Sequence, residues 1–317
     1  MDYLKLIRYK NLIIIAITQY LMRWAVIYPM LKINKFELQF SEIDFALFVL
    51  CTVLIAAAGY IINDYFDSKT DLINRPNKVI VGSKIDRRLA IILHSVFNFI
   101  AIVIGFYISY KIGIWKIGFI FLLITGLLWY YSTSYKYHLI GNIIVSFLTA
   151  LVPFLVAIYE VPMLNKAYGE IMKQQNVNFT YLIYWMLGFS YFAFFTSMVR
   201  EIIKDAEDAE GDMMVGRNTL PIMLGIKYTK VVLYLLIGVV IASLLIVWKL
   251  TLTDYITLAY FVTAIIAPLL FLTFKLIKAT NKEDFKFASF LVKIIMITGV
   301  LYSLVVYYII TQTINIT

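Results

Sequence analysis

Two short acidic runs contain the side chains of this sequence that are best suited to chemistry. The first, NDYFDSKTD, spans residues 63–71, and the second, REIIKDAEDAEGD, spans residues 200–212. Both have the spacing D-x-x-D-x-x-x-D, with Asp64, Asp67 and Asp71 in the first run and Asp205, Asp208 and Asp212 in the second. Spacings of three and four residues bring side chains onto one face of a helix. Each run therefore predicts a row of three carboxylates.

Crowded carboxylates need positive charge beside them, because they repel one another and become protonated where water is scarce. Mg²⁺ prefers oxygen ligands and commonly bridges a few carboxylates to the phosphates of a substrate. Either row alone is typical of a solvated helix end. The repeated spacing, with an offset of 141 residues at all three positions, favours two halves of one magnesium–diphosphate site.

The remainder of the sequence predicts an all-α integral membrane protein. Hydrophobic residues make up 62% of the 317 residues, charged residues make up 15%, and the mean hydropathy is +0.86. A membrane-spanning helix needs about 20 mostly apolar residues. Nine such windows occur, near 12–31, 45–66, 89–110, 114–134, 140–159, 179–199, 228–248, 255–275 and 288–311. The polar stretch 160–178 is predicted to be an outer loop.

The distribution of basic residues predicts the orientation in the membrane. With nine spans, 19 of the 28 Lys and Arg residues lie on the side of the N-terminus and seven lie on the other, with Arg23 and Lys293 within spans. Cytoplasmic loops carry the excess of basic residues. Both acidic runs are therefore expected at the cytoplasmic face of the cell membrane. The net charge of +9 is explained by this bias, and no nucleic-acid partner is predicted.

The two acidic runs, in this order, resemble those of the UbiA-type superfamily of intramembrane prenyltransferases. Further similar stretches, from about residue 5 to 225, are LIRYKN, INRPNK, YSTSYKYHLIGN and GRNTLPIMLG. Within the superfamily, the second run is most similar to archaeal-type enzymes that join a geranylgeranyl chain to geranylgeranylglyceryl phosphate. Homogentisate prenyltransferases share its EGD ending. Where family members often read N-R-P-x-R-P, this chain has Lys78 and Val79, which retains a charge but not the planar guanidinium of arginine.

The resemblance implies a single domain over residues 1–317, in which nine transmembrane helices surround a central cavity with a cytoplasmic cap. It also implies that the six aspartates are catalytic and hold Mg²⁺, with Asn63 as a further metal and substrate ligand.

The only cysteine, Cys51, lies within a span, so neither a disulfide framework nor a zinc site is expected.

The predicted reaction breaks an allylic C–O bond, so the protein must stabilise a departing diphosphate and a carbocation. Candidate partners for phosphate oxygens are the basic residues of the same loops, Arg75, Lys78, Lys136, Lys204 and Arg217. The positive-inside bias is the alternative explanation for each of them. Tyr135 lies among aromatic residues that could stabilise a cation, although aromatic belts are common at membrane interfaces.

Arg23 is a separate case because it lies midway along the first span, where an unpaired charge is costly. It is expected to bind the anionic head of an acceptor or to form a structural ion pair, and the sequence favours neither.

These observations predict a Mg²⁺-dependent prenyltransferase that takes geranylgeranyl diphosphate from the bilayer and prenylates geranylgeranylglyceryl phosphate. An aromatic acceptor of quinone biosynthesis, such as 4-hydroxybenzoate, homogentisate or a naphthoate, is the alternative. A cation transporter and a silent scaffold are non-enzymatic alternatives. A transporter would more naturally carry its carboxylates near the middle of the membrane, on broken helices.

Overall fold

Long apolar helices account for most of the architecture. The computed structural model describes residues 1–74, 76, 79–175 and 178–316, without the side chains of Lys69, Gln175 and 313–316. Within these residues no β-strand occurs. The helices are α1 (Asp2–Leu6), α2 (Tyr9–Leu21), α3 (Tyr28–Ile33), α4 (Glu42–Asn74), α5 (Arg87–Lys111), α6 (Phe119–Thr133), α7 (Leu139–Gln175), α8 (Thr180–Met214), α9 (Leu220–Val247), α10 (Tyr255–Tyr260), α11 (Ala267–Lys278) and α12 (Lys282–Ile316).

Short π-helical segments join some of these helices into longer spans. Met22–Ile27 links α2 to α3, and Phe261–Ile266 links α10 to α11. Nine helices of the described residues are then long and apolar enough to cross a membrane: 9–33, 42–68, 87–111, 115–133, 139–174, 180–214, 220–252, 255–278 and 282–312. The predicted all-α fold with nine spans is confirmed.

The predicted outer loop at 160–178 is wrong, because α7 continues as a helix to Gln175. This stretch is polar, but it contains good helix formers such as Ala, Glu, Met, Lys and Gln. Tyr168 on this extension also packs its ring 4.8 Å from that of Phe36 and 6.3 Å from that of Phe179. Packing against Phe36 and Phe179 therefore stabilises the helix beyond the apolar window.

The helices group into two compact units. The first comprises residues 1–135 and 152–187, and the second comprises 136–151 and 188–317, so α7 and α8 contribute to both. The first aspartate row belongs to the first unit and the second row to the second. A single catalytic domain with a cavity lined by both units remains a prediction.

Each unit has its own aromatic core. In the first, the ring of Tyr159 lies 5.0 Å from that of Phe48 and 6.0 Å from that of Phe40. In the second, Gly299 permits a close approach, since a Cβ at this position would lie 1.9 Å from the ring of Phe192. These cores hold the long helices that carry the aspartates.

Candidate active site

The first aspartate row lies near the C-terminal end of α4. The helix continues without interruption from Glu42 to Asn74, so the spacing of the row places its side chains on one face, as predicted. Asp67 is 8% exposed, and Asp64 accepts a hydrogen bond of 2.8 Å from Arg8 Nη2. The row is thus largely buried and has a guanidinium beside its first carboxylate.

Arg8 reaches Asp64 because of the turn between α1 and α2. Its backbone is left-handed, with φ 51° and ψ 51°, a conformation that costs an L-residue about 1–2 kcal/mol. Leu6, at the end of α1, is fully buried in an apolar cluster with Ile61 and Val81, which anchors the turn. The guanidinium carbon of Arg8 also lies 4.9 Å from the centre of the Tyr60 ring.

The same contacts also influence the pKa of Arg8. Burial lowers the pKa of this guanidinium, but the ion pair and hydrogen bond with Asp64 outweigh it, and the net shift of the pKa is upward. The ion pair with Asp64 therefore favours the charged form of Arg8.

A second cation, Arg87, lies beside the first row. Its Nη1 donates a 2.9 Å hydrogen bond to Ser68 Oγ, and its guanidinium carbon is 4.2 Å from the centre of the Tyr65 ring. Ser68 follows Asp67 directly in the chain. The N-terminus of α5 thus brings positive charge to this end of α4.

The second row lies near the C-terminal end of α8, again within continuous helix. Asp205 Oδ2 accepts a 2.7 Å hydrogen bond from Asn142 Nδ2 on α7. Asp212 is 2% exposed and pairs with Arg217 at 3.0 Å. Asp208 lies 3.9 Å from the ammonium group of Lys282.

The segment after α8 folds back onto a short turn, Tyr135–Tyr137, that carries Lys136. The backbone N–H of Asn218 donates to the carbonyl of Tyr137 at 2.8 Å, and the guanidinium carbon of Arg217 lies 5.6 Å from the Tyr137 ring. Lys136 itself is 6% exposed. Two of the predicted phosphate-binding cations thus lie on segments that are bonded to each other.

The other predicted substrate-binding residues have different outcomes. Arg75 and Lys78 lie outside the described residues. Lys204 pairs with Glu201, at 2.9 and 3.2 Å from the two carboxylate oxygens. The ring of Tyr135 lies 6.1 Å from that of Tyr130. A phosphate role for Lys204 and a cation-stabilising role for Tyr135 remain predictions.

Arg23 is engaged in an ion-pair cluster. The guanidinium is 1% exposed and binds Glu160 at 2.9 Å, Glu42 at 2.7 Å and the carbonyl of Phe40. Glu42 and Asp64 belong to the same helix, whose rise of about 1.5 Å per residue separates them by about 33 Å. These contacts favour the structural alternative for Arg23.

A cavity of about 670 Å³ opens beside Arg23 and is also lined by Trp24, Lys32, Lys35 and Glu42. Because it adjoins the first residue of α4, it lies far from the aspartate row at the other end of that helix. We assign no catalytic role to it.

The donor chemistry of the rows fits Mg²⁺. The ligands available are carboxylate and amide oxygens, which hard divalent cations prefer. Asn63 Oδ1 is buried and is without a hydrogen-bond partner in the part of the chain that the structure describes, as expected of an oxygen suited to a metal. Among the same residues, no three His, Cys, Asp or Glu side chains are close enough together to hold an ion by themselves.

Sequence reasoning missed Asn142, Lys282 and Arg87 as neighbours of the rows. Asn142 is the last residue of the stretch YSTSYKYHLIGN, which resembles a family motif. The sequence could therefore have indicated that Asn142 lies near the site. Lys282 carried no such signal, because the motifs quoted from the sequence end near residue 225. Arg8 lay in a matching stretch, LIRYKN, but its position beside the first row is shown only by the ion pair with Asp64.

Proteins with assigned names are similar to this chain in sequence. A digeranylgeranylglyceryl phosphate synthase of Methanothermobacter thermautotrophicus is 33% identical over 73% of this chain and 72% of its own. Two further synthases of that name match over 57% and 63% of their length.

Solved structures share the fold. A digeranylgeranylglyceryl phosphate synthase structure has a TM-score of 0.62 and 22% identity, covering 96% of this chain and 98% of its own. A UbiA homologue from Archaeoglobus fulgidus, bound to DMAPP and Mg²⁺, has a TM-score of 0.55 and 17% identity, covering 96% and 99%. Residues 36–308 match the UbiA prenyltransferase family. The chain therefore belongs to the UbiA prenyltransferase family.

Proposed function

We propose that this protein transfers a geranylgeranyl group from its diphosphate to geranylgeranylglyceryl phosphate, with Mg²⁺ as cofactor. The observation that carries the proposal is the pair of helical aspartate rows with one spacing, each lying beside cationic side chains. The names of the relatives, and the DMAPP and Mg²⁺ bound to the Archaeoglobus fulgidus homologue, support it.

The aspartate rows and one amide would hold the metal. Mg²⁺ supplies positive charge that offsets the charge developing on the departing diphosphate. Its ligands would come from Asn63 and the six aspartates, Asp64, Asp67, Asp71, Asp205, Asp208 and Asp212. The hydrogen bond from Asn142 orients Asp205, as outer partners of metal ligands commonly do.

Side-chain cations would bind the diphosphate oxygens. Arg8 and Arg217 each already pair with a carboxylate of a row, at 2.8 and 3.0 Å, so they can donate to an anion bound beside it. Lys136 precedes Tyr137, whose carbonyl accepts a hydrogen bond from the backbone N–H of Asn218, the residue after Arg217. In the reaction, the allylic C–O bond breaks, the acceptor hydroxyl oxygen bonds to the allylic carbon, its proton leaves, and diphosphate is released.

Aromatic rings beside α4 would stabilise the allylic cation. The ring of Trp129 lies 5.8 Å from that of Phe66, the neighbour of Asp67 in the chain, and 5.5 Å from that of His94. The faces of aromatic rings attract cations, with Trp the strongest. The first unit thus places a π-rich surface next to its aspartate row.

A direct assay of the product tests the proposal. Purified protein with labelled geranylgeranyl diphosphate and Mg²⁺ should convert geranylgeranylglyceryl phosphate into its geranylgeranyl ether, and EDTA should abolish the product. The matched reactions contain 4-hydroxybenzoate, homogentisate or a naphthoate in place of the lipid. Efficient prenylation of one of these acids, with no ether product, would establish the aromatic alternative.

We further propose that both rows face the cytoplasm across the cell membrane, since the side predicted to carry them holds most of the basic residues. In a Cys51→Ser background, Ser83→Cys should resist an impermeant maleimide added to intact cells and react after lysis. Asn178→Cys, in a loop predicted to lie outside, should react in intact cells. Both positions are exposed. The reverse pattern would show that the orientation is inverted.

A further inference from the structure

We propose that the cavity beside Arg23 binds the phosphate-bearing headgroup of a membrane lipid, at a site separate from the aspartate rows. Its volume of about 670 Å³ lies within the range of about 300–1,000 Å³ that is typical of ligand pockets. The cavity adjoins Glu42, which lies about 33 Å along α4 from Asp64. A headgroup bound here is out of reach of that aspartate row, so this inference does not depend on the proposed function.

The ends of two membrane spans place the cavity at the level of lipid headgroups. The span 9–33 ends and the span 42–68 begins beside it, and the connection 34–41 supplies about half of its lining residues. Trp24 and Tyr28, whose rings lie 5.2 Å apart, also line it. Trp, Tyr and Lys side chains are typical of the boundary between a membrane and water. The ligand present at this depth of a bilayer is a lipid headgroup.

Two lysines give the lining an excess of positive charge. Lys32 lies in the last turn of α3, and Lys35 follows that helix by two residues. Both side chains are exposed, and in the part of the chain that the structure describes neither ammonium group forms an ion pair. Of the two carboxylates in the lining, Glu42 is already paired with a guanidinium, which leaves Glu37 against two ammonium groups. The lining therefore favours an anion.

Arg23 adds a hydrogen-bond donor to the wall of the cavity. Its Nη1 and Nη2 groups bind Glu160, Glu42 and the carbonyl of Phe40, and the two carboxylates balance its charge. Its Nε is buried and has no hydrogen-bond partner among the described residues. An unsatisfied buried donor is costly, so this N–H is suited to an oxygen of a ligand. A phosphate oxygen satisfies it and the lysines together.

The backbone at Lys35 supports a role for its side chain. The N–H of Phe36 donates to the carbonyl of Leu31 and that of Lys35 to the carbonyl of Lys32, both at 3.0 Å, so α3 ends in a Schellman motif. Lys35 occupies the left-handed position of this motif, with φ 60°, where glycine is usual because it has no steric cost there. Among the described residues, only two other non-glycine residues have a positive φ, and one of them is Arg8. Backbone strain of this kind is common at ligand sites.

Binding of short-chain lipids to the full-length protein in a neutral detergent tests the site. The probes are dihexanoyl phosphatidylglycerol, dihexanoylglycerol, which has the same chains without the phosphate, and inorganic phosphate. Native mass spectrometry and the rise in melting temperature with ligand concentration both give a Kd. We expect the phospholipid to bind at least about tenfold more tightly than either of the other probes, the size expected for one charged hydrogen bond.

The variants are Lys35→Gly, the double variant Lys32→Gln with Lys35→Gly, and the control Lys116→Gln. Lys116 is an exposed lysine of the same unit that does not line the cavity. The Kd for the phospholipid should rise about tenfold in the double variant and stay within about twofold in the control. Without lipid, Lys35→Gly should melt at or above the temperature of the wild type, because glycine relieves the strain at this position.

Three results overturn the inference. The first is an unchanged Kd for the phospholipid in a double variant that is folded. The second is binding of dihexanoylglycerol or inorganic phosphate as tightly as the phospholipid, which would show that the headgroup of a phospholipid is not what the cavity recognises. The third is a lower melting temperature of Lys35→Gly without lipid, which would show that this side chain serves the fold. None of these measurements involves prenyl transfer, so their outcome is distinguishable from that of the proposed function.

Discussion

Asp67→Asn and Asp208→Asn should each lower kcat for prenyl transfer by about 100-fold or more, although each leaves the protein folded. Each substitution keeps the size of the side chain and removes one negative charge that would hold Mg²⁺ and, through it, the departing diphosphate. A loss of this size corresponds to about 2.7 kcal/mol of transition-state stabilisation, within what metal charge supplies. Steady-state rates at saturating Mg²⁺ measure it.

The control for this loss is Glu210→Gln, which removes a charge from the same helix as Asp208. Glu210 is exposed and lies between Asp208 and Asp212. It should retain nearly full activity, and all three variants should elute as single peaks in detergent. Near-normal turnover in both aspartate variants would exclude them from the site.

Glu160→Gln should destabilise the protein strongly while it leaves the chemistry intact. Glu160 is 1% exposed, pairs with Arg23 at 2.9 Å and accepts hydrogen bonds from the backbone N–H groups of Gln39 and Phe40. Removing one partner of a buried pair lowers the free energy of unfolding by about 3–5 kcal/mol, because the remaining charge is left buried without full compensation. The melting temperature in detergent should fall by several degrees.

The matched control is Glu42→Gln at the other carboxylate of Arg23. Its side chain is 57% exposed, so water can replace it, and we expect a loss of about 0–1 kcal/mol. Because the cluster is about 33 Å along α4 from Asp64, the KM for the diphosphate should be unchanged in the folded fraction of both variants. A large change in the KM for the acceptor in either variant, with unchanged stability, would instead show that Arg23 contributes to substrate binding.

The spans could be predicted because the membrane imposes a simple rule on sequence. Twenty or so apolar residues are needed for each crossing, and that signal is local. The ends of the helices were less predictable. Residues 160–175 are polar, yet the packing of Tyr168 against Phe36 and Phe179 maintains the helix. Such contacts join distant parts of the chain and leave no local pattern.

The same distinction applies to the site. The aspartate rows were predictable, since spacings of three and four residues are read within one helix. Their partners were not, because Arg8, Asn142 and Lys282 come from other helices and only the fold brings them to the rows. The family was predictable from motifs and is confirmed. The contact between Arg23 and Glu160 joins residues that are far apart in the sequence and could not be predicted from it. The sequence therefore left the role of Arg23 open.

We propose that the two rows hold one diphosphate between them. The most direct measurement is the binding of a non-reactive thiolodiphosphate analogue of the donor, in the presence of Mg²⁺, to the wild type, Asp67→Asn, Asp208→Asn and the double variant. A shared site predicts one analogue bound per chain, weaker binding in each single variant, and a double variant whose loss is much smaller than the sum of the two, because residues that act as a unit are not additive. Two analogues bound per wild-type chain, with each single variant losing one of them at unchanged affinity for the other, would contradict the claim.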